Sequence, residues 1–198
     1  MASIGLSKPH IAKYAAEDGT VTYSGGVVAG KAIELSLSLN GQSQSVLHAD
    51  NGPAESESVF DGGTITLGTD ELRPEAIMAM YAPEEEEITN EAVKTEGAKW
   101  MKYNDNQTVP YLGFGAIAKR KIDGKVKWVA VIYPKIQFQH FGEDLVTQGE
   151  SIEWKTPKVT AELLKDDTKD HEWRRISTPL DTEEEAEAIV KAFLNITA

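Results

Sequence analysis

The four histidines are the side chains best suited to metal binding or acid–base chemistry, and they are scattered along the chain. They are His10, His48, His140 and His171. None has a partner at metal-ligand spacing, and the segment HEWRR that begins at His171 lacks the second histidine of a helix-borne zinc site. Because the chain has no cysteine, thiolate ligands and cysteine nucleophiles are excluded. We therefore expect no metal site and no cofactor.

The segment GFGAIA, residues 113 to 118, imitates the G-x-G-x-x-A pattern of dinucleotide-binding loops. That motif must open a helix whose N-terminus faces the pyrophosphate. Here the following KRKIDGK predicts a short Asp-Gly hairpin into another strand. Glycines inside a strand indicate a bulge or close backbone packing, so we do not interpret this segment as a nucleotide site.

Other catalytic signatures are missing from the sequence. No serine lies in a G-x-S-x-G elbow, and no glycine-rich loop ends in Gly-Lys-Ser or Gly-Lys-Thr. The 32 acidic residues allow many carboxylate pairs, so no single pair is informative about general acid–base catalysis. We predict that the protein is not an enzyme.

Charge and hydropathy narrow the classes of partner. The chain has 198 residues and a formal net charge of −12, which disfavours tight binding to nucleic acid because affinity for phosphates rests on clustered lysine and arginine. Solubility and repulsion of DNA explain this acidity equally well. No apolar run approaches the ~20 residues of a membrane helix, and the N-terminus lacks the pattern of a signal peptide. We expect synthesis in the cytoplasm and no membrane anchoring.

The elements that must position any functional residue are mostly β-strands. Alternating apolar and polar residues indicate half-buried strands, separated by Gly, Pro and Asp-Gly turn signals. The predicted strands cover residues 10–14, 33–39, 64–67, 99–103, 111–121, 125–139, 150–156, 158–164 and 171–177. This array predicts a β-sandwich or barrel, as one domain over residues 1–198.

The strands are of two kinds. Residues 112–118 and 126–133 are apolar on both faces, so they need cover from the other sheet and from a helix or a neighbouring subunit. The segments 33–39, 64–67, 151–156 and 158–163 alternate strictly, with one dry and one wet face. The wet-face side chains are Glu34, Ser36, Ser38, Thr64, Thr66, Ser151, Glu153, Lys155, Lys158, Thr160 and Glu162.

Two helices accompany the strands. The first is predicted from Asp70, a good N-cap, to Ala82, with Pro74 tolerated only near the first turn. The second covers residues 182–195, with three glutamates in its first turn, where carboxylates favour the macrodipole. We expect it to dock on the sheet through an apolar stripe at helical spacing. That stripe is Ile189, Val190, Phe193 and Leu194.

Two polar segments are predicted as loops. The run PEEEEITNE, residues 83–91, is too polar to bury. Residues 40–63 lie between two predicted strands and are far longer than the roughly 2 to 5 residues that close most hairpins. Ordering such an extended loop within one subunit costs conformational entropy. Contacts with another subunit would offset this cost, so we expect the loop to become ordered against a second subunit.

Six segments of the chain, taken together, carry a resemblance to a known family. The segments are GLSKPHIAKYA, ADNGPAESESVFDGGTITLGTDEL, VPYLGFG, KIQFQ, TQGESIEWKTP and WRRISTPLDTEEEAEA. They resemble the major tail protein family of long-tailed bacteriophages that infect Gram-positive bacteria. They follow one another over nearly the whole chain, which makes the similarity more specific than any single motif.

The resemblance implies a structural virion protein located in the tail of a phage, a prophage or a phage-derived tail-like particle. Members of this family build the tail tube, in which stacked hexameric rings form the conduit for genome ejection. The implied fold is mainly β, a sandwich or half-barrel whose four strands join a continuous barrel around the lumen. The implied partners are further copies of the chain, the tail tip or baseplate, the tape-measure protein and the tail terminator, with DNA passing without specific binding.

The resemblance also implies roles for particular residues. The wet-face side chains would line the lumen, where small hydroxyl groups offer DNA few strong contacts. The extended loop would contact the next ring through Asp50, Asn51, Gly52, Pro53, Glu55 and Glu57. The competing class is a non-catalytic β-sandwich that binds a ligand or mediates adhesion. That class would explain the β-strands, the acidity and the four tryptophans, which we expect to be core anchors. It would not explain why four of the strands have one polar face.

Overall fold

The computed structural model describes residues 2–40, 43–49, 52–143, 145–147 and 155–197. Within them the chain is mainly β with two helices, which confirms the predicted fold class. The strands are β1 (Ala2–Glu17), β2 (Thr20–Val28), β3 (Ala32–Leu39), β4 (Ser43–Ala49), β5 (Gly52–Val59), β6 (Gly63–Thr69), β7 (Glu84–Glu87), β8 (Lys99–Lys102), β9 (Tyr111–Ile122), β10 (Lys125–Phe138), β11 (Lys158–Leu164) and β12 (Arg175–Ile176). The helices are α1 (Pro74–Tyr81) and α2 (Glu183–Phe193).

Most strands belong to one antiparallel sheet in the order β2-β1-β9-β10-β11-β6-β3, and β12 pairs with β10 beside this path. The pairs β4–β5 and β7–β8 form two separate hairpins. The β1–β2 and β9–β10 hairpins both turn on Asp-Gly, with φ of 48° and 74° at Asp18 and Gly19 and of 48° and 79° at Asp123 and Gly124. Positive φ at both central positions is typical of a type I′ turn, whose twist matches that of the strands.

The main sheet folds back on itself around the larger of two apolar cores. Inward residues of β6 and β11, such as Leu67 and Leu163, share this core with inward residues of β9 and β10, such as Phe114 and Val131. Helix α1 adds buried residues such as Met80. Two layers that enclose one core have the architecture of a sandwich or half-barrel.

Helix α2 covers the opposite face of β1, β9 and β10. Ile117 of the sheet and Val190 and Leu194 of the helix belong to this second core. Strands β9 and β10 are therefore buried on both faces over much of their length, as their lack of alternation predicts. A capping box starts the helix, because the Glu185 amide donates to Thr182 Oγ1 and the Glu185 carboxylate accepts from the Thr182 amide.

Two glycines of β9 allow α2 to approach the sheet closely. A Cβ on Gly113 would lie 2.5 Å from Tyr23 Cε1 and 2.7 Å from Leu194 Cδ2. A Cβ on Gly115 would lie 2.6 Å from Val190 Cγ1. Carbon atoms do not pack that closely, so both positions require the smallest residue. The GFGAIA segment is thus a packing feature inside a strand.

The prediction of a loop over residues 40–63 is wrong about local structure. Strands β4 and β5 pair in register from Ser43 with Val59 to Ala49 with Gly52. Neither strand belongs to the main sheet within the described residues. The signal failed because the sequences SQSVLHA and GPAESESV do not alternate strictly between apolar and polar residues.

The prediction of a loop over residues 83–91 is wrong for its first half. Glu84–Glu87 form β7, which pairs with β8. Lysines stabilise this acidic strand across the hairpin, since Lys99 Nζ lies 2.7 Å from Glu85 Oε2 and Lys102 Nζ lies 2.7 Å from Glu86 Oε2. Cross-strand pairs of opposite charge favour a ladder that four adjacent glutamates alone would oppose.

Helix α1 starts later than predicted. Arg73 is the N-cap and offers no side-chain hydrogen bond, and Pro74 follows in the first turn. Asp70 instead accepts hydrogen bonds through Oδ1 from the amides of Lys31 and Glu71, at 2.8 and 2.9 Å. The arginine side chain has no oxygen that could accept from the N2 or N3 amide, and Asp70, three residues before the N-cap, stabilises the preceding turn instead.

Three strand predictions also need correction. Strand β1 is much longer than residues 10–14, and β2 was not predicted. The segment predicted at 171–177 is a strand only at Arg175–Ile176. The segment predicted at 150–156 lies mostly outside the described residues, and residues 155–157 have no strand structure.

Neither helix in the described ranges is long and apolar enough to cross a membrane.

Candidate functional site

Strands β3, β6 and β11 carry polar side chains on the face that points away from the core. Residues between them, such as Leu67, Val159 and Leu163, are buried in the larger core. Because side chains alternate along a strand, the polar residues share the opposite face, which we call the hydroxyl face. It consists of Glu34, Ser36, Ser38, Thr64, Thr66, Lys158, Thr160 and Glu162.

The strand register arranges the hydroxyl face in rows across the three strands. One row is Ser36, Thr66 and Thr160, and the next is Ser38, Thr64 and Glu162. The Oγ1 atoms of Thr66 and Thr160 lie 3.4 Å apart. Neighbouring strands are about 4.8 Å apart, so the hydroxyl groups form a continuous polar surface that exchanges hydrogen bonds with itself and with water.

An ion pair marks one end of the hydroxyl face. Lys158 Nζ lies 2.6 Å from Glu34 Oε1, and both residues flank Gly68 in the register. A Cβ on Gly68 would lie 2.8 Å from Glu34 Cγ, so the glycine lets the two side chains meet across β6. Such an exposed pair is worth only about 0–1 kcal/mol. Its main effect is to neutralise the single lysine of this face.

The remaining charge of the hydroxyl face is the Glu162 carboxylate, which accepts a hydrogen bond from Gln139 Nε2 at 2.6 Å. Among the described residues, no histidine hydrogen-bonds to the serine and threonine hydroxyls of this face. A hydroxyl without an adjacent base is a weak nucleophile. A phosphate group at this surface would meet neutral hydroxyls, one carboxylate and a lysine already paired with Glu34.

Three of the predicted wet-face residues are not on β3, β6 or β11. Two of them, Ser151 and Glu153, lie outside the described residues. Lys155 is exposed and follows them in a segment without strand structure. The residue missed by the sequence reasoning is Gly68. Its signal is the interruption of the Thr-x-Thr alternation in TITLGT.

The hydroxyl face ends at an edge of the main sheet. Strand β3 pairs with β6 on one side, and in the described part of the chain no strand pairs with its other side. Ile33 on this strand is 53% exposed. Unpaired backbone groups on an edge strand are a template for pairing with another chain.

The arm, defined as residues 40–62 with the β4–β5 hairpin, leaves the sheet between β3 and β6. The Asn40 amide donates to the Gly62 carbonyl at 3.1 Å, and Asn40 Nδ2 donates to the Asp61 carbonyl at 3.2 Å. Phe60 stacks on Trp173 with ring centroids 4.5 Å apart. The base of the arm is therefore fixed to the body by hydrogen bonds and an aromatic contact.

Four of the six residues predicted to contact a neighbouring ring lie in one strand of the arm. Gly52, Pro53, Glu55 and Glu57 lie in β5. Asp50 and Asn51 lie outside the described residues.

The four residues predicted to dock α2 differ in burial. Val190 and Leu194 are fully buried, and Phe193 is half-buried with its ring centroid 5.3 Å from that of Tyr23. Ile189 is 38% exposed, so the prediction is wrong for this residue. Each helical residue is rotated by about 100° from the last, which turns Ile189 out of the stripe that Val190 occupies.

A charge cluster joins α2 to β1. Glu187 contacts Lys8 Nζ, and its Oε1 lies 2.8 Å from Lys191 Nζ. Hydrogen bonds from Lys191 and Lys8 lower the pKa of the Glu187 carboxyl to about 2. His10, which is buried beside them, has its Nδ1 2.8 Å from the Lys8 carbonyl. Burial lowers the pKa of His10, which favours the neutral ring.

A groove beside α2 is one candidate ligand site in the described structure. It is lined by residues that include Tyr23, Asp166, Glu172, Arg175 and Phe193. Its polar groups are engaged with each other: Asp166 Oδ1 accepts from the Glu172 amide at 2.8 Å, and Arg175 Nη2 donates to Glu172 Oε1 at 2.8 Å. Groups that already satisfy one another have little to offer a ligand.

Within the described residues, no three histidine or acidic side chains cluster so that they could hold a metal ion. Comparison of the chain with models of known protein families gave no match, and comparison with curated protein sequences gave none either. The function is therefore inferred from the geometry and from the resemblance described above.

Proposed function

We propose that the chain is a structural subunit that assembles into the tail tube of a phage or of a phage-derived tail-like particle. Hexameric rings of the subunit would stack into a hollow conduit for genome ejection. The observation that carries the proposal is the hydroxyl face. It consists of three adjacent one-sided strands whose polar outer surface no other described element covers. A lumen wall needs such strands, dry towards the subunit core and wet towards the channel.

The unpaired edge of β3 supports the same proposal. Pairing of β3 with a strand of the next subunit would continue the sheet around a ring and remove an exposed edge. The subunit would then contact further copies of itself at its sides and, through the arm, in the next ring. The tail tip or baseplate, the tape-measure protein and the tail terminator would be its partners at the ends and in the channel.

The electrostatics of the hydroxyl face fit a surface over which DNA passes without binding. Glu34 neutralises Lys158 by an ion pair, and Glu162 adds a negative charge. Together with the net charge of −12, this leaves little to attract a phosphate backbone. No catalytic role is part of the proposal.

Electron microscopy of concentrated, negatively stained protein tests the proposal. We expect rings or tubes with an open centre. A variant in which an Asn-Gly turn replaces residues 40–62 serves as a matched comparison. Because Leu39 and Gly63 are register partners, a two-residue turn can join them without moving either strand.

For the shortened variant we expect a folded protein of equal or slightly higher stability, since a shorter loop costs less to close. We also expect loss of tube growth, because the arm is proposed to make the contact between rings. Wild-type protein that remains monomeric at high concentration and shows ligand-dependent melting would favour the binding-module alternative instead. Tubes of normal length from the shortened variant would remove the arm from the stacking contact.

A further inference from the structure

Two hairpins of opposite charge adjoin the two ends of β9. The turn between β9 and β10 carries five cationic residues and a single acid, Asp123; the cations are Lys119, Arg120, Lys121, Lys125 and Lys127. We call this the basic tip. The β7–β8 hairpin, residues 84–102, carries six glutamates and three lysines, and we call it the acidic hairpin.

Strand β9 fixes the separation of these two features. The basic tip surrounds the end of β9 at Ile122, with Lys119, Arg120 and Lys121 on β9 and Lys125 and Lys127 on β10. The acidic hairpin precedes the start of β9 at Tyr111, and its exit segment is held there because Gln137 Nε2 of β10 donates to the Val109 carbonyl at 2.8 Å. The strand from Tyr111 to the cations at Lys119–Lys121 spans roughly 25–35 Å. The two hairpins therefore cannot neutralise each other within one subunit.

The far half of the acidic hairpin has negative charge left over. Two of its three lysines pair with the first glutamates, Lys99 with Glu85 and Lys102 with Glu84 and Glu86. The third, Lys94, lies between Glu91 and Glu96 and donates from Nζ to the Glu91 carbonyl at 2.6 Å, so the two carboxylates of this half outnumber its lysine by one. Glu91 and Glu96 are exposed, and in the described residues neither forms an ion pair.

The acidic hairpin also exposes an aromatic ring. Trp100 is 59% exposed and pairs with Glu86 in the register. An indole face beside carboxylates attracts lysine and arginine side chains through cation–π contact. A neutral apolar partner would have to desolvate the neighbouring ion pair of Glu86 with Lys102, so the indole favours a cationic partner.

The basic tip has matching properties. Lys121 and Lys125 are exposed. Within the described chain, neither Arg120 nor Lys121 pairs with a carboxylate, whereas Lys127 contacts Asp181. A concentrated basic patch is unusual on a chain with a net charge of −12. Its positive charge is complementary to the negative charge of the acidic hairpin.

We propose that the acidic hairpin of one subunit docks on the basic tip of a second copy of the same chain, in a head-to-tail contact. This inference rests on the proposed function, because it names surfaces through which the assembling subunits meet. Two different patches form a heterologous contact, which repeats from subunit to subunit into a ring or an open stack. Charge complementarity orients the approach and excludes tail-to-tail and head-to-head encounters by repulsion.

Charge reversal tests the contact with the full-length chain. One variant carries Lys121→Glu and Lys125→Glu in the basic tip, and the other carries Glu91→Lys and Glu96→Lys in the acidic hairpin. A control carries Lys13→Glu and Lys169→Glu, which are exposed positions outside both hairpins and change the net charge as the tip variant does. Sedimentation velocity measures the concentration at which each protein associates, and circular dichroism checks folding.

We expect each contact variant alone to need at least about tenfold more protein to associate, because like charges then face each other at every contact. A one-to-one mixture of the two variants should associate like wild type, since each reversed patch meets a reversed partner in an alternating chain. The control should associate within about twofold of wild type, because exposed charges away from the contact are screened.

The outcomes separate this inference from the proposed function. Wild-type tubes together with unaffected variants would overturn the head-to-tail contact and leave the function standing. Restored association of the mixture into particles that are not tubes would uphold the contact and overturn the function. A mixture that stays dissociated, or wild type that never associates, would overturn the contact. Salt-dependent retention of duplex DNA that the tip variant loses would reassign the basic tip to nucleic acid.

Discussion

The two halves of the main sheet differ in what lies on their outer faces. Over β1, β9 and β10 the outer face is apolar and covered by α2. Over β3, β6 and β11 it is polar, rich in hydroxyl groups and uncovered within the described structure. Both halves share the same inner core, so the difference concerns only what each half presents outwards.

This contrast separates a part of the sheet that serves stability from a part that is available for function. Burial of apolar side chains under α2 contributes to folding of the subunit itself. A row of serines and threonines on an uncovered face contributes little, because those groups hydrogen-bond equally well to water in the unfolded chain. The stability of the subunit therefore constrains the residue types on the hydroxyl face only weakly.

Truncation under the helix should produce the largest effect. Leu194 is fully buried between α2 and the sheet, and Leu194→Ala should lower the free energy of unfolding by about 2–4 kcal/mol through lost burial and a cavity. Ser36→Ala on the hydroxyl face is the matched control and should change it by less than about 0.5 kcal/mol. Urea denaturation measures both. Equal costs would show that the hydroxyl face is not solvated.

Overpacking the same interface should have a smaller effect. In Gly113→Ala the new methyl group would meet Tyr23 and Leu194 at less than 3 Å, so the helix must shift, at a cost of about 1–3 kcal/mol. Gly142, where a Cβ would meet no atom within 4 Å, provides the control substitution Gly142→Ala. A stability for Gly113→Ala that matches the control would mean that α2 is loosely held.

Acid titration should reveal the charge cluster that joins α2 to β1. The Glu187 carboxyl has a folded-state pKa of about 2 against an ordinary value of 4.5. Its contribution is therefore complete above the ordinary pKa and is lost as pH falls towards 2, because the unfolded state then binds the proton first. We expect Glu187→Gln to cost about 1–2 kcal/mol at pH 6, after allowance for partial solvent screening.

The same variant should differ little from wild type near pH 2, where the carboxylate is being lost in both states of the wild-type protein. Denaturation at a series of pH values gives the comparison. A constant difference between wild type and Glu187→Gln across this range would show that the ion pairs with Lys8 and Lys191 do not contribute to folding.

Sequence patterns predicted the parts of the fold in which burial is periodic. Leu67 and Val159 alternate with polar neighbours, and Ile117 and Val131 lie in unbroken apolar runs, so one-sided and two-sided strands were distinguishable. Elements held by other forces were missed. Glu84–Glu87 is a strand because lysines on the partner strand pair with its glutamates. Asp70 does not cap α1 because the helix begins at Pro74, with Arg73 as its N-cap.

The missed strand β2 had a readable signal. Asp18-Gly19 repeats the Asp-Gly turn at 123–124, and Glu17 pairs with Thr20 across it. The glycines at 25 and 26 broke the alternation that would have marked the strand. Trp100 was expected in the core with the other tryptophans, yet it is exposed, because side-chain type alone does not reveal whether a hairpin has a sheet beneath it.

The most direct test of the central claim, that the hydroxyl face lines a channel, is the accessibility of Ser36→Cys in assembled particles. The chain has no other cysteine, so labelling of this thiol measures the accessibility of position 36 alone. Monomers should react equally with a small maleimide and with a maleimide carried on a large polymer. Intact tubes should react with the small reagent, which enters the wet lumen from the ends, and exclude the large one. Rapid labelling of intact tubes by the large reagent would place this face on the outside and contradict the claim, and protection from both reagents would place it in a dry interface.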